Sequence, residues 1–392
     1  MAAPPLQNRA AWQAAKKVTA YQVGDAPYTQ PGKGQVVIRN GAVGINPFDW
    51  WLQYVGGMFV PHVTWPAVLG SDCAGTVVDV GPGVTRFRVG DRVAGTAAVV
   101  GKESGLSAEG AFQLYPVLRE YMISPVPPSI SDESAAVLGM AFSTAAFGLF
   151  SPDYLGLDPP RVPPPANPPP GAAHPRAVIV TGGASSLGAC AVQLAASAGY
   201  EVVSTCSPRN FALVRRLGAA HVFDYARPAP ELVADMVAAL RGRALAGALT
   251  VGAGADQVCA AVFKERAAAA PQLPTRKFVA LAGGSRRDPA TLDGAMVVPG
   301  LIYNMMGLMA KSAVRKILTG IEIKFVMIKD VVNPDSCVSR VYQDFLGPAL
   351  AAGQFVPAPD ALVVGRGLEQ IQEGLEVQKK GVSAQKVVVS LP

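Results

Sequence analysis

The stretch AVIVTGGASSLGACAVQLA, residues 177–195, constrains the fold of this 392-residue chain more than any other. It combines a strand of small and β-branched residues, a tight glycine-rich turn and a helix of small residues. Strand-like and helix-like segments then alternate through EVVSTC, NFALVRRLG, HVFDY and PELVADMVAALRG. Because such alternation forms right-handed βαβ units, this region predicts an α/β fold with a doubly wound parallel sheet.

The turn of this stretch has the residues of a phosphate-binding loop. Gly182 and Gly183 allow a sharp turn, and Gly188 allows the helix to pack close to the sheet. The first amides of such a helix point toward an anion, so the flanking strand and helix favour a dinucleotide pyrophosphate as ligand. A strand-to-helix turn without a ligand is the alternative. The residues expected to contact the nucleotide are Gly182, Gly183, Ser185, Ser186, Leu187 and Gly188.

The end of the next strand, VVSTCSPRNF at residues 202–211, bears on which nucleotide is bound. Chains that bind NAD place an acidic residue about 20 positions after the loop, where it holds the ribose 2′-hydroxyl. Cys206, Ser207 and Arg209 occupy this region instead, and a hydroxyl followed by a guanidinium suits a 2′-phosphate. The sequence therefore predicts NADPH as the cofactor. The alternative for Arg209 is a solvated residue at a helix start.

The region before residue 125 has a different pattern. Short β-rich pieces such as QVVIRN, AGTVVDV and YMISPV are separated by Gly, Pro and Asp turns, which predicts a small β-barrel-like domain. A helix is predicted to begin near residue 132, because Ser131 can cap it and two acids follow. The chain is long enough for two domains, each with its own core.

Composition and charge exclude several classes of protein. Half of the residues are hydrophobic and 16% are charged, as in folded proteins. The net charge is +6, but no run of four basic residues occurs, so nucleic acid is not expected as a partner. The five cysteines include no CxxC pair, which indicates a reducing compartment, and we predict a cytoplasmic protein.

Three further segments bear on targeting and on surface features. Residues 1–17 lack the apolar core of a secretory signal. The uncharged apolar run at residues 294–310 is broken by proline and glycine and is shorter than the roughly 20 residues of a bilayer span, so no membrane segment is expected. Nine prolines in residues 159–175 predict an extended surface insertion without assigned function, a PxxP ligand being the alternative.

Four stretches together resemble the medium-chain dehydrogenase/reductase superfamily: GINPFDWW (44–51), VGDRVAG (89–95), TGGASSLG (181–188) and VSAQKVVVSL (382–391). The resemblance covers nearly the whole chain. It implies a GroES-like substrate domain at residues 1–135, completed by residues 326–392. It also implies a Rossmann NADPH-binding domain at residues 136–325, which carries the proline-rich insertion at 158–175.

The resemblance also identifies the positions that hold zinc in metal-dependent members. The positions matching Asn46, Ser71 with Asp72, and Met140 supply Cys, a His-Glu pair, and Cys or another ligand in those proteins. Zinc needs about three good donors, and this chain offers at most Asp72, so we expect no metal. Within the superfamily the chain resembles the zinc-free branch, with the fungal trans-acting enoyl reductases and the zinc-binding-dehydrogenase-like, quinone oxidoreductase-like proteins. Trp51 departs from many of these, which have lysine there.

These features predict a metal-independent, NADPH-dependent reductase, with fungal secondary metabolism as its setting. Without a Lewis acid, hydride addition to a conjugated acceptor, an enone or enoyl thioester, is easier than reduction of a simple ketone, because a few hydrogen-bond donors can hold the resulting enolate. The catalytic candidates are Thr144 and Asn46 as donors and Tyr54 as a proton source. Each has a structural alternative: a backbone-bonded helix threonine, an asparagine turn and a packing ring.

The resemblance and the aromatic residues also predict the ligand contacts. By family likeness Tyr225 lies near the adenine edge, and Ser207, Arg209 and Asn210 face the 2′-phosphate. An apolar wall is predicted from Trp50, Trp51, Met305 and Met306, with ordinary core or dimer packing as the alternative for the methionines. The expected partner is a small hydrophobic conjugated substrate, free or carrier-bound, and the chain is expected to be a monomer or homodimer.

Two other functions stay open at this point. One is a quinone oxidoreductase, which would use the same hydride chemistry. The other is a non-catalytic, NADPH-binding structural or regulatory protein, which the Trp51 departure keeps open.

Overall fold

The fold is described from a computed structural model. The structure describes residues 7–18, 20–55, 60, 63–98, 107–283, 307, 310, 312–328 and 332–392. For residues 54 and 55 it describes the backbone only. Two compact units form: the first comprises Met1–Met140, Lys329–Ala351 and Pro357–Pro392, and the second Ala141–Ile328 and Ala352–Val356. Residues Ala352–Val356, expected from the sequence to complete the first domain, group with the second unit.

The first unit is built from two antiparallel-rich sheets. Its strands are β1 (Asn8–Gln13), β2 (Gln22–Ala26), β3 (Gln35–Gly44), β4 (Ala67–Val68), β5 (Asp72–Val80), β6 (Arg92–Thr96), β7 (Val117–Arg119), β8 (Ile123–Pro125), β15 (Asp360–Arg366) and β16 (Gln385–Ser390). The small sheet has the order β2-β1-β4. The large sheet has the order β15-β16-β3-β5-β6-β8, and β7 pairs with β3. The predicted β-rich N-terminal domain is confirmed.

The second unit contains one parallel sheet. Its strands are β9 (Arg176–Thr181), β10 (Glu201–Cys206), β11 (Ala219–Asp224), β12 (Ala244–Thr250), β13 (Phe278–Leu281) and β14 (Glu322–Phe325). Their order is β11-β10-β9-β12-β13-β14, and every pairing is parallel. This is the doubly wound order, in which the strand order reverses between β9 and β12, so the predicted α/β sheet is confirmed.

The α-helices with both ends described are α1 (Pro47–Val55), α2 (Asp132–Ala135), α3 (Gly139–Phe150), α4 (Ser186–Ser197), α5 (Phe211–Arg216), α6 (Ala229–Ala239), α7 (Ala255–Ala269), α8 (Cys337–Arg340), α9 (Gly347–Ala351) and α10 (Ile371–Lys380). In the second unit, Met236 of α6 and Phe263 of α7 pack with the strand residues Ile179 and Val203 in one buried apolar cluster. Burial of these side chains covers a face of the sheet and is the main stabilising term of the unit.

The helix predicted from residue 132 is interrupted. Ser131 caps α2 as expected, its side chain accepting from the N–H of Ser134, but α2 ends at Ala135 and α3 begins at Gly139. Asp72 explains the restart, because its Oδ1 accepts a hydrogen bond from the Met140 N–H at 2.6 Å. A Cβ at Gly139 would lie 2.2 Å from that oxygen, so glycine is needed at this position.

The sequence also predicts helices for YQDFLGPALAAG (342–353) and LEQIQEGLEV (368–377), and the structure differs in both. The segment at residues 342–353, predicted as one helix, continues from α8 as a π-helix at Val341–Leu346 before α9. The predicted helix at residues 368–377 begins with a 3₁₀ turn, Leu368–Gln370, and α10 extends to Lys380. Local periodicity predicts helical character but does not distinguish these hydrogen-bond patterns.

The proline-rich segment is tied to the second unit at several points. The Arg161 N–H donates to Ser197 O at 3.0 Å, and Asn167 exchanges two hydrogen bonds with the backbone of Arg176. Pro165 packs directly against Gly199, which has φ +78°. A Cβ at position 199 would lie 2.8 Å from Pro165 Cγ, so a larger residue there would collide with the proline. The segment is exposed as predicted, but it has defined anchors.

Among the described residues, one stretch, Asp132–Phe150, is long and apolar enough to cross a bilayer. Of its most apolar window, 78% is buried inside the fold, as in the core helix of a globular protein.

Candidate functional site

The glycine-rich loop, residues 182–188, connects β9 to α4 at the end of the central strand of the parallel sheet. Ser185 is the N-cap of α4: its Oγ accepts from the Gly188 N–H at 3.0 Å and donates to Gly182 O at 2.8 Å. The Gly183 N–H donates to Thr205 O on β10 at 3.0 Å. The Gly182 N–H donates to the Thr205 hydroxyl at 3.4 Å. The loop is therefore held by Ser185 and by the end of β10.

The glycines of this loop are required by close approach. A Cβ at Gly188 would lie 2.1 Å from Gly182 O, and a Cβ at Gly183 would lie 2.4 Å from Ser204 Oγ. Gly182 has φ +65°, a conformation that favours glycine. A loop this tight brings the first amides of α4, those of Ser186 and Leu187, to an open helix N-terminus.

The arrangement fits a dinucleotide cofactor. The helix N-terminus offers N–H donors and a partial positive charge to a diphosphate. The loop also lies where the strand order reverses between β9 and β12, the position at which doubly wound sheets bind nucleotides. When bound here, a nicotinamide dinucleotide would supply hydride chemistry.

The predicted 2′-phosphate residues lie at the end of β10. Ser207 Oγ and Tyr225 Oη are 2.9 Å apart, and both side chains have solvent access. Arg209, in the 3₁₀ turn Pro208–Asn210, is exposed. Burial, with a smaller contribution from Asp224, raises the pKa of the Cys206 thiol to about 11, so the residue is uncharged at neutral pH. The strand end thus presents hydroxyls and a guanidinium.

A second polar site lies in the first unit, where three strands meet. Because β16, β3 and β5 are neighbours, Gly44 pairs with both Val388 and Asp72. This register brings together four buried residues that we call the Lys386 cluster: Asn46, Asp49, Asp72 and Lys386.

The polar atoms of the Lys386 cluster contact one another. Lys386 Nζ lies 2.9 Å from Asp72 Oδ2 and forms an ion pair with it, although the angle is outside the range of a hydrogen bond. The side chains of Lys386 and Asp72 are only 4% and 0% exposed. Lys386 Nζ also donates to Asn46 Oδ1. The other carboxylate oxygen of Asp72 accepts from Met140 N at the start of α3, where a negative charge is favoured.

Asn46 is also the residue at which α1 begins. Pro47 occupies the first helical position, where its missing N–H costs nothing. The Asp49 carboxylate reaches back to accept the Asn46 N–H at 2.7 Å. Burial, partly offset by that hydrogen bond, raises the pKa of Asp49 to about 7. The side-chain oxygen of Asn46 accepts from Lys386.

The Lys386 cluster does not fit zinc. Of the matching positions, Asp72 has its two oxygens directed to Lys386 and Met140 N, and Asn46 Oδ1 accepts from Lys386. Asp72 is the one carboxylate among the matching positions, and the Lys386 ammonium 2.9 Å from it would repel a dication. Among the described residues, no group of three or more His, Cys, Asp or Glu side chains is arranged to hold a metal ion.

The remaining predicted site residues lie in several places. Trp50 and Trp51 stack with centroids 5.6 Å apart, and Trp50 Nε1 donates to Gln378 Oε1 on α10, so the Trp50 indole packs α1 against α10. Thr144 is half-buried on α3. The Tyr54 side chain and Met305 and Met306 lie outside the described residues.

Sequence reasoning missed Lys386 and Asp49 as site residues. A signal was present, because Lys386 is the one charge in the strand QKVVVS, and Asp72 begins the strand DCAGTVVDV at its buried end, away from its second acid, Asp79. A lysine and an aspartate that both lie in buried parts of one sheet are expected to pair.

Comparisons with known proteins agree with this architecture. Residues 32–128 match the alcohol dehydrogenase GroES-like domain. Dehydrogenase pigH of Monascus ruber is 44% identical over 98% of this chain and 99% of its own length. Trans-enoyl reductase himH of Aspergillus japonicus is 33% identical over 98% of each chain.

One solved structure extends the fold match to the whole chain. An alcohol dehydrogenase superfamily protein from Novosphingobium aromaticivorans superposes with a TM-score of 0.69 at 20% identity, covering 98% of this chain and 100% of that one. With the full-length relatives, the glycine-rich loop and the two units, the chain belongs to the medium-chain dehydrogenase/reductase superfamily of nicotinamide-dependent oxidoreductases.

Proposed function

We propose that this chain is an NADPH-dependent, metal-independent reductase of activated carbon–carbon double bonds in enones or enoyl thioesters. The observation that carries the proposal is the buried Asn46 amide, whose Nδ2 has no hydrogen-bond partner within the described part of the chain. Where zinc-dependent relatives place a Lewis acid, this chain has a hydrogen-bond donor beside a lysine ammonium. The 33% identity to a trans-enoyl reductase supports the same substrate class.

The reaction balances with the coenzyme, the acceptor and one proton from water. When bound at the glycine-rich loop, NADPH would supply the hydride from C4 of its nicotinamide ring. The acceptor gains that hydride at its β-carbon, and the π pair of the double bond moves toward the carbonyl to give an enolate. A proton from water then adds at the α-carbon. The acceptor gains the two electrons that the coenzyme loses.

Hydrogen-bond donors are sufficient for this reaction. An enolate spreads its charge over oxygen and carbon, so it needs less stabilisation than the alkoxide formed from a simple ketone. Asn46 Nδ2 supplies one such donor, and Thr144 is the second candidate. Loss of one donor of this kind costs on the order of 10²–10³ in kcat.

The end of β10 supports the choice of NADPH. Arg209 can pair with a 2′-phosphate, and the Ser207 and Tyr225 hydroxyls add donors close by. The position that would carry an acid for the 2′-hydroxyl of NADH is Cys206, which is neutral. The predicted preference is therefore electrostatic.

The test uses purified protein, NADPH or NADH, and four acceptors: an enoyl thioester, an enone, a small quinone and a simple ketone. We expect NADPH oxidation with the first two that survives dialysis against EDTA. Turnover with the quinone alone would indicate the quinone oxidoreductase alternative. Tight NADPH binding with no turnover on any acceptor would indicate a non-catalytic protein.

A matched pair of variants tests the coenzyme choice. Arg209→Ala should raise the Kd for NADPH about tenfold or more and leave the Kd for NADH unchanged, because only NADPH carries the 2′-phosphate. Arg216→Ala removes an exposed arginine in the last turn of α5 and should change neither. Equal losses for both coenzymes would contradict the assignment.

A further inference from the structure

The Asn46 side chain is held in one orientation by the residue it contacts. Oxygen and nitrogen of an asparagine amide are assigned from their partners. A lysine ammonium only donates hydrogen bonds, so the atom of Asn46 that faces Lys386 Nζ is the oxygen. The opposite atom is therefore Nδ2, with its two N–H groups.

This nitrogen is both buried and without a partner. Asn46 is 3% exposed, and Nδ2 completes no hydrogen bond with the residues that the structure describes. The Asp49 carboxyl interacts with this amide but already accepts the backbone N–H of Asn46. Buried polar groups are nearly always hydrogen-bonded, and an exception needs an explanation such as a ligand. An acceptor atom of a bound molecule would satisfy it.

Lys386 is in turn held by Asp72. Asp72 Oδ2 lies 2.9 Å from Lys386 Nζ, and Asp72 is in turn fixed by the Met140 N–H at 2.6 Å. The start of α3 therefore orients Asp72, Asp72 orients Lys386, and Lys386 orients the amide. The positive charge beside Oδ1 also polarises the amide and strengthens the N–H groups as donors.

We propose that Lys386 is a positioning residue, which fixes the Asn46 amide so that Nδ2 donates to the carbonyl oxygen of the acceptor. This inference rests on the proposed function and assigns the specific group that would replace a Lewis acid. Lys386 acts through Asn46 and does not touch the substrate oxygen.

The test is a double-mutant cycle of Lys386→Met and Asn46→Ala, with kcat for an enoyl thioester and the Kd for NADPH measured on each protein. Lys386→Met should lower kcat about 100-fold, in the range for a lost oxyanion donor, with the NADPH Kd within about twofold. In the Asn46→Ala background the same change should cost less than about threefold, because residues that act as a unit are not additive.

A charge-neutral variant separates positioning from folding. Lys386→Met alone leaves Asp72 buried without its cation, which can impair folding. Asp72→Asn/Lys386→Met removes both charges, and the amide oxygen introduced by Asp72→Asn can still accept from Met140 N. This variant should regain wild-type thermal stability but keep the loss in kcat. Recovery of kcat would overturn the proposal, since Lys386 would then serve only the ion pair.

The matched control is Lys316→Met. Lys316 forms an ion pair with Glu322 at 2.7 Å, but its side chain is 59% exposed, so kcat should stay at the wild-type value. Additive losses of Lys386→Met and Asn46→Ala would overturn the inference while the proposed function stands. A wild type inactive on every conjugated acceptor would instead overturn both.

Discussion

The glycine-rich loop of the second unit and the Lys386 cluster of the first unit present hydrogen-bond donors by different means. In the loop the donors are backbone amides, and glycine occupies the three positions, 182, 183 and 188, at which a Cβ would collide with the backbone or a neighbour. In the cluster the donors are side chains, and each is held by a charged partner. The loop should therefore be sensitive to added volume, and the cluster to an unbalanced charge.

The largest expected effect is on stability in the cluster. Asp72→Ala leaves Lys386 buried without its carboxylate, which should lower the free energy of unfolding by about 3–5 kcal/mol. Urea denaturation measures this. Glu369→Ala removes a carboxylate from the Arg9–Glu369 pair, which is about half exposed on both sides, and should cost at most about 0.5 kcal/mol. Equal losses would show that burial does not distinguish the two pairs.

Added volume in the loop should come next. A Cβ at Gly188 would lie 2.1 Å from Gly182 O, so Gly188→Ala should displace the turn and weaken NADPH binding about 100-fold, or about 3 kcal/mol. Fluorescence titration with NADPH measures the loss. Gly24→Ala in β2 makes the same change where the nearest atom lies 4.0 Å away, and affinity should be unchanged. An unaltered Kd for Gly188→Ala would mean that the loop does not hold the diphosphate.

A smaller effect is expected from the second carboxyl of the cluster. Burial, with Asp72 as a further contributor, raises the pKa of Asp49 to about 7 from its ordinary 3.8. The folded state thus binds this proton more tightly than the unfolded state, and stability falls as pH rises between about 4 and 7. Asp49→Asn keeps an oxygen to accept the Asn46 N–H but has no charge to bury.

That variant should therefore be more stable than wild type at pH 8 and similar to it at pH 4. Denaturation curves across this range, compared between the two proteins, measure the difference. A constant difference at every pH would show that Asp49 does not titrate in this window.

The smallest effect returns to the loop. Ser185→Ala removes the N-cap of α4, which accepts from the Gly188 N–H, and should cost about 1 kcal/mol. Thermal unfolding measures the change, and Ser185→Thr, which keeps the hydroxyl, should lose much less. If the NADPH Kd rises more than tenfold in Ser185→Ala, a side chain contributes to binding in the loop as well.

The two regions also differ in how far the sequence predicts them. The loop is local: strand, turn and cap lie within twenty residues, and their chemistry follows from residue types in order. The cluster joins Asn46 to Lys386, 340 positions away, and only the pairing of β16 with β3 brings them together. Asn46 was predicted as a donor, but the residue that orients it was not.

The interruption after α2 has a similar origin. The apolar pattern from residue 132 is consistent with one continuous helix, and nothing local requires a break before Gly139. The break depends on Asp72, more than sixty positions earlier in the sequence, whose carboxylate receives the Met140 N–H. The periodicity of apolar residues does not predict which distant residue a single charged side chain will contact.

The anchors of the proline-rich segment have a practical consequence for protein engineering. Its outer turn contains Gly171, which has φ +82° and no heavy atom within 4 Å of a Cβ position, whereas Pro165 fits closely against Gly199. A fluorophore or affinity peptide inserted at the outer turn should leave folding intact, because exposed loop tips accept insertions. The same insertion at Pro165 would separate the segment from Gly199, in the turn between α4 and β10.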